Sequence, residues 1–302
     1  MRLMRQLAFV GGCCALRAAA PAQRRASARF LSGLGAPEDV AAPAAANEAA
    51  TELNFAPKHR SPAARRSKRI RQHLNPLSSE SQKPMTLGED WLGEAFSDPT
   101  RPLTIDVGSA MGGWVLESAV ADSQRNFLGL EIRPAAVEAA LIKLDTSKLG
   151  NAHFFRCNAN VDIGVLLMEI QKRNVPLERI LIQFPDPQFK KKHHKRRVVT
   201  PELAQNVAKA LRASPVPGAF AYLVSDVYEA ADHMREVFRN ETDLVEFATD
   251  GEWTPRSPLA VATEREKAVM LGQGDTSTIA GHAYRAIFSP RPLPDFWAGQ
   301  TE

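Results

Sequence analysis

The sequence predicts a doubly wound α/β fold on a mostly parallel sheet. Short apolar runs alternate with stretches of helical periodicity from residue 103 to residue 288, the order that builds a parallel sheet with helices on both faces. A glycine-rich turn, Gly108-Ser109-Ala110-Met111-Gly112-Gly113, joins the first run to the first helix. Polar residues (Glu131, Asp186 and Asp226) then close three later strands, at the sheet edge where such folds bind ligands.

The elements follow in order. Leu103-Thr104-Ile105-Asp106-Val107 is the first strand, and a helix runs from the glycine turn to about Asp122. Asn126 to Leu130 is a second strand, ending in Glu131. The helix of 133–148 has apolar Val137, Leu141 and Leu144 at half-buried helical spacing. A short strand at 153–156 and a helix at 161–173 come next, then a strand at 179–184. Thr200-Pro201 opens a helix to about Arg212, since proline suits the first helical turn. A strand at 219–224 ends at Ser225-Asp226. A helix (227–239), a strand (243–248) and a last strand near 282–288 complete the pattern.

The 302-residue chain divides by composition. Residues 1–37 hold six arginines and no acid, the composition of an organellar transit peptide. Residues 38–57 are a disordered Ala/Glu/Pro linker. Residues 58–100 form an arm that is basic over 58–71, either disordered, or ordered on RNA or folded over the next domain. Residues 101–290 are the α/β domain, and 291–302 a tail. The net charge of +4 is local: without residues 1–37, 32 basic residues face 34 acidic ones. Cys13 and Cys14 lie in the leader and Cys157 stands alone, so no disulfide framework forms. No stretch is apolar enough for a membrane span, and no metal-ligand cluster, P-loop or Ser/His/Asp elbow is visible.

The chemistry centres on residues 184–197. Phe184-Pro185-Asp186-Pro187 places one acid in a proline-locked turn at a strand end, and residues 190–197 then carry six Lys or Arg. A lone basic run is usually a solvated face; beside a strand-end acid it reads as a phosphate-binding surface. The glycine loop and Glu131 fit a nucleoside ligand, since a strand-end carboxylate accepts ribose hydroxyls, and they equally fit a dinucleotide. Asp106 is a further acid at that edge. Asn158-Ala159 is either a turn or an adenine reader. Thr263-Glu264-Arg265-Glu266 is either a helix start capped by Thr263 or a set of groups for a guanine donor edge.

Together these residues resemble the tRNA (guanine-N7)-methyltransferase family of the bacterial single-subunit type, over about residues 69–288. The 184–197 stretch is the most specific motif; Glu131, Asn158-Ala159, Ser225-Asp226 and residues 263–266 match in order. Arg69-Ile70-Arg71-Gln72-His73-Leu74-Asn75-Pro76-Leu77 looks like the arm of cyanobacterial and plastid members. The resemblance implies a Rossmann-like class I methyltransferase domain with an antiparallel last strand. It implies S-adenosylmethionine as donor and guanine 46 of the tRNA variable loop as acceptor. By the same resemblance Asp106, Gly108, Ala110, Gly112, Glu131, Asn158, Ala159 and Asp186 line the donor site, with Asp186 as the catalytic carboxylate. Lys190, Asp226, Thr263, Glu264, Arg265 and Glu266 meet the substrate. Lys191, Lys192, Lys195, Arg196 and Arg197 are expected on RNA phosphates. Asp106 stands where many members have Glu, Ala110 replaces the second glycine, and Asn158 replaces an Asp. A nicotinamide-dependent oxidoreductase and a non-catalytic RNA-binding protein are the alternatives. The resemblance further implies a monomer or homodimer with no obligatory protein partner, in a chloroplast or, as alternative, a mitochondrion.

Overall fold

The structure is a computed structural model that describes residues 74–247, 252–272 and 282–293. The expected leader, the linker, the basic part of the arm and most of the tail lie outside the described residues. Among the described residues seven strands form one sheet: β1 (Leu103–Val107), β2 (Asn126–Glu131), β3 (Ala152–Arg156), β4 (Leu177–Gln183), β5 (Phe220–Ser225), β6 (Val245–Glu246) and β7 (Tyr284–Ser289). Their spatial order is β3-β2-β1-β4-β5-β7-β6. The first five run parallel, while β7 is antiparallel to both β5 and β6.

Helices α2 (Gly113–Ala121), α3 (Pro134–Ser147), α4 (Ala159–Lys172), α5 (Pro201–Ala213) and α6 (Tyr228–Glu241) connect the strands. A short α1 (Trp91–Ala95) precedes them, and α7 (Glu264–Met270) precedes β7. The two-residue alternation of a strand sorts β5 onto two cores. Ala221 and Leu223 face a core shared with α4, α5 and α6, through Ile163, Leu203, Val207 and Phe238. Phe220, Tyr222 and Val224 face a second core with Trp114 and Val115 of α2 and Val137 of α3. Trp91 and Phe96, placed by sequence in the arm, are 2% exposed and belong to the first core.

Two expectations of detail change. Leu141 of α3 is exposed, and Ala136, Val137 and Ala140 form its buried side; small residues let α3 lie close to the sheet. The strand expected at 243–248 shortens to β6. Leu244 turns into the first core, and the outermost strand has only β7 as a neighbour.

The described part of the arm docks at the end of β3. The Asn158 side-chain amide donates to the carbonyls of Pro76 (3.0 Å) and Ser81 (2.9 Å), and the Met85 N–H donates to Asp162 Oδ1 (2.9 Å). Asp162 Oδ2 accepts the Asn158 N–H at 3.0 Å, so one buried carboxylate ties arm and helix start together.

Candidate active site at the carboxyl edge of the sheet

The turn after β1 is shaped by backbone conformation. Gly108 (φ 91), Ala110 (φ 50) and Gly112 (φ 76) are all left-handed. A Cβ on Gly112 would lie 2.5 Å from the Phe154 ring, so only glycine fits there. A Cβ on Gly108 would meet no atom within 4 Å; that backbone faces open space. Ala110 takes the left-handed turn despite its methyl group, at a cost of about 1–2 kcal/mol, and its N–H donates to Glu131 Oε2 at 3.0 Å.

Glu131 ends β2 and is 5% exposed. Its Oε1 accepts the backbone N–H (2.9 Å) and Nε (3.0 Å) of Arg133, and its Oε2 accepts Arg133 Nη2 (3.0 Å). The carboxylate expected to hold ribose hydroxyls thus already holds an arginine. Arg133 escaped the sequence reading, although an acid and an arginine two residues apart were its signal.

Asp106 is buried beside the last residue of β4. Its Oδ1 accepts from Gln183 Nε2 at 3.2 Å. Burial pushes its pKa up to about 7, opposed by the Gln183 hydrogen bond and assisted by the nearby Glu131 charge. Gln183 Oε1 is buried and has no hydrogen-bond partner. Gln183 was also missed; its signal was a polar residue closing an otherwise apolar strand.

Asn158 and Ala159 stand at the start of α4. Asn158 caps α4 by accepting the Asn160 N–H (3.3 Å), while its amide binds the arm. Both ends of the side chain are therefore engaged within the protein. Ala159 packs in the first core.

The Pro185-Asp186-Pro187 turn is flanked by two left-handed residues, Phe184 (φ 48) and Gln188 (φ 51). A bulky residue with positive φ is strained, and such strain is held where the surroundings demand it. Asp186 is exposed and accepts the Gln188 N–H at 3.2 Å. A 3-10 turn at Lys191–Arg196 follows. Lys190, Lys191, Lys192 and Lys195 are exposed and Arg196 is half-buried.

Arg197 corrects the expectation of a phosphate contact. It is 8% exposed, and its guanidinium donates to the Pro187 carbonyl (3.1 Å) and to Glu229 Oε1 (2.6 Å). It fastens the proline turn to α6, and Glu229 is held below the usual carboxylate range chiefly by that bond.

On the far side of β5, buried Asp226 pairs with Arg265 through Nε at 2.9 Å and through Nη2. Thr263 Oγ1 caps α7 by accepting the Glu266 N–H (3.0 Å). The helix-start reading of this tetrapeptide is therefore realised. The Glu266 carboxylate instead pairs with Arg285 at 2.7 Å, and its buried Oε2 has no hydrogen-bond partner. Glu264 is exposed near Gly113 at the start of α2.

A sheet in this order with β7 alone reversed, a glycine turn after β1, an acid one residue before the end of β1 and another closing β2 define a class I S-adenosylmethionine-dependent methyltransferase. Comparison with known proteins narrows the class. A family described as putative methyltransferase matches residues 100–278. The tRNA (guanine-N(7)-)-methyltransferase of Thermosynechococcus vestitus is 44% identical over 202 residues, covering 67% of this chain and 89% of that protein. The Synechococcus elongatus protein of the same name is 42% identical over 227 residues, covering 74% and 97%. The chain belongs to the tRNA (guanine-N7)-methyltransferase family.

S-adenosylmethionine is the methyl donor, and the residues present fit it. Asp106 and Gln183, whose Oε1 has no hydrogen-bond partner, are buried side by side as acceptors, which suits the donor's ammonium group. Gly108 leaves space for a ligand against the backbone, and Glu131 closes the neighbouring strand. Among the described residues no helix is long and apolar enough to cross a membrane, and no group of His, Cys, Asp and Glu is arranged to hold a metal ion.

Proposed function

We propose that the chain methylates N7 of guanine 46 in the variable loop of tRNA. The observation that carries this reading is the strained Pro185-Asp186-Pro187 turn, an exposed carboxylate at the end of β4 backed by exposed lysines. The relatives support it: both proteins named above are tRNA (guanine-N7)-methyltransferases, aligned over nearly their whole length.

S-adenosylmethionine supplies a methyl group on a sulfonium centre, whose bonding electrons remain on sulfur as the methyl leaves. Guanine N7 has an in-plane lone pair and no proton, so no residue acts as a base. The chain's task is alignment and electrostatics. Asp186 faces the positive charge the purine gains, which stabilises the transition state more than the ground state. Arg265 holds Asp226 in place, and Glu266 keeps Oε2 as an acceptor for a guanine N–H. Lys190, Lys191, Lys192 and Lys195 meet phosphates. N7 faces the deep major groove of A-form RNA, which side chains cannot read, so the guanine is presented unpaired or splayed out.

Labelled S-adenosylmethionine with a tRNA transcript bearing guanine 46, beside one bearing adenine there, tests the reading. Label on the guanine transcript alone is expected; label on both discards the position. Asp186→Asn is expected to lower kcat by about 10²–10³-fold with donor binding retained, and near-wild-type turnover would remove the carboxylate from the mechanism. The activity belongs in an organelle, the chloroplast before the mitochondrion. The arginine-rich, acid-free residues 1–37 support this, and imaging a fluorescent fusion of residues 1–57 tests it.

A further inference from the structure

Four rings gather near Asp226, and two of them, Tyr228 and His282, are exposed. Tyr228, the first residue of α6, lies two residues past Asp226 and is 54% exposed. Its ring centroid is 5.2 Å from that of Tyr284 and 6.1 Å from that of Trp253, both at edge-on angles. Trp253 and Tyr284 meet at 5.4 Å, and exposed His282 meets Tyr284 at 4.5 Å. Tyr284 pairs across the sheet with Ser225, the residue before Asp226. Arg235 stands 4.5 Å from the Trp253 centroid and is itself anchored by Glu246 and the Glu252 carbonyl.

The cluster is also tied to the basic turn. Glu229, next to Tyr228, binds Arg197 at 2.6 Å and lies 3.4 Å from His194. Aromatic faces therefore stand between cations suited to phosphates and a buried acid at the proposed guanine site. Protein surfaces for unpaired nucleotides are built in this way, from cations along the backbone and rings beneath the bases. A platform already held rigid gives up little entropy on binding.

We propose that Tyr228, supported by Tyr284 and Trp253 and flanked by His282, is a stacking platform for an unpaired base neighbouring the methylated guanine. This rests on the RNA reading above and adds to it a means of holding the target's neighbour. It makes Tyr228 a positioning residue, acting on RNA geometry without touching the reacting atoms.

The test uses the full chain with tRNA transcripts carrying 2-aminopurine at positions flanking the target. Quenching on binding reports stacking, and methyl transfer is scored in parallel. Tyr228→Ala is expected to weaken RNA binding by about 5–150-fold, the range of one base–aromatic stack, to abolish quenching at one flanking position and to leave donor binding intact. Tyr228→Phe keeps the ring and is expected to restore both signals. Tyr228→Leu keeps apolar bulk, guards against a folding defect and is expected to behave as the alanine variant. Wild-type binding and quenching in Tyr228→Ala, or a Tyr228→Phe as weak as Tyr228→Ala, would overturn the platform even if methylation proceeds normally. Tyr228-dependent quenching without transfer to guanine would keep the platform and overturn the methylation reading instead. Wild-type protein that neither binds nor methylates would overturn both.

Discussion

Asp106 and Asp226 stand at the same edge of the sheet, two strands apart, each 5% exposed. Asp106 has the neutral amide of Gln183 as its partner, and burial lifts its pKa to about 7. Asp226 has the Arg265 guanidinium. The contrast extends to the surrounding regions. Around β4 to β7, Glu266 pairs with Arg285, Glu246 with Arg235 and Arg197 with Glu229. On the β1 side Asp106 accepts from a neutral amide and feels the Glu131 charge, and Glu131, held by Arg133, stands between the two cases. Burial alone does not set what a carboxylate does. Its partner decides whether it awaits a cation from a ligand or is already organised for a neutral one.

The largest effect is expected where a buried pair is broken from one side. Glu266→Ala leaves Arg285 uncompensated and is expected to cost about 3–5 kcal/mol in urea unfolding. The double variant Glu266→Leu/Arg285→Met is expected to regain most of that stability while losing RNA methylation. A double variant that remains as unstable as Glu266→Ala would mean that packing, not charge, holds this side together.

Asp106 behaves oppositely. Between the unfolded pKa near 4 and the folded value of about 7, the native state keeps a proton that the unfolded chain releases. Its contribution to stability therefore falls as pH rises through that window. Asp106→Asn is expected to be as stable as wild type at pH 4 and more stable by up to about 4 kcal/mol at pH 8, at 1.36 kcal/mol per unit. An equal difference at both pH values would break the comparison. Donor affinity is expected to rise through pH 7 in wild type, as ionised Asp106 gains the ammonium, and to be flat in Asp106→Asn by calorimetry.

The smallest effects separate two cations of one run. Arg197→Ala is expected to lose about 1–3 kcal/mol of stability, as a truncated buried hydrogen-bonding group does, with little change in the salt dependence of RNA binding. Lys191→Ala is expected to stay within about 0.5 kcal/mol of wild type and to flatten the log–log salt slope by about 0.7–0.9. An unchanged slope would make Lys191 merely solvated.

That last pair shows where sequence reading stops. Strand positions were legible because apolar runs are local, and β1, β2 and β5 fall within about a residue of their expected places. Composition could not separate Arg197 from Lys191, because the difference is Glu229, an acid 32 residues later. Arg133 and Gln183 were visible as residues but not as partners, since burial and orientation are set by the whole fold. Asn158 has a cap's position, and its bonds to the docked arm lie 77 and 82 residues away in the chain.

Asn158 has a consequence for motion. One amide group, at the start of α4, holds the carbonyls of Pro76 and Ser81. Anything that draws this amide away releases both carbonyls to water, so the orientation of one side chain and local opening of residues 76–85 are linked. The backbone amides of that segment then become a clock, read by hydrogen exchange, for an event at the sheet edge.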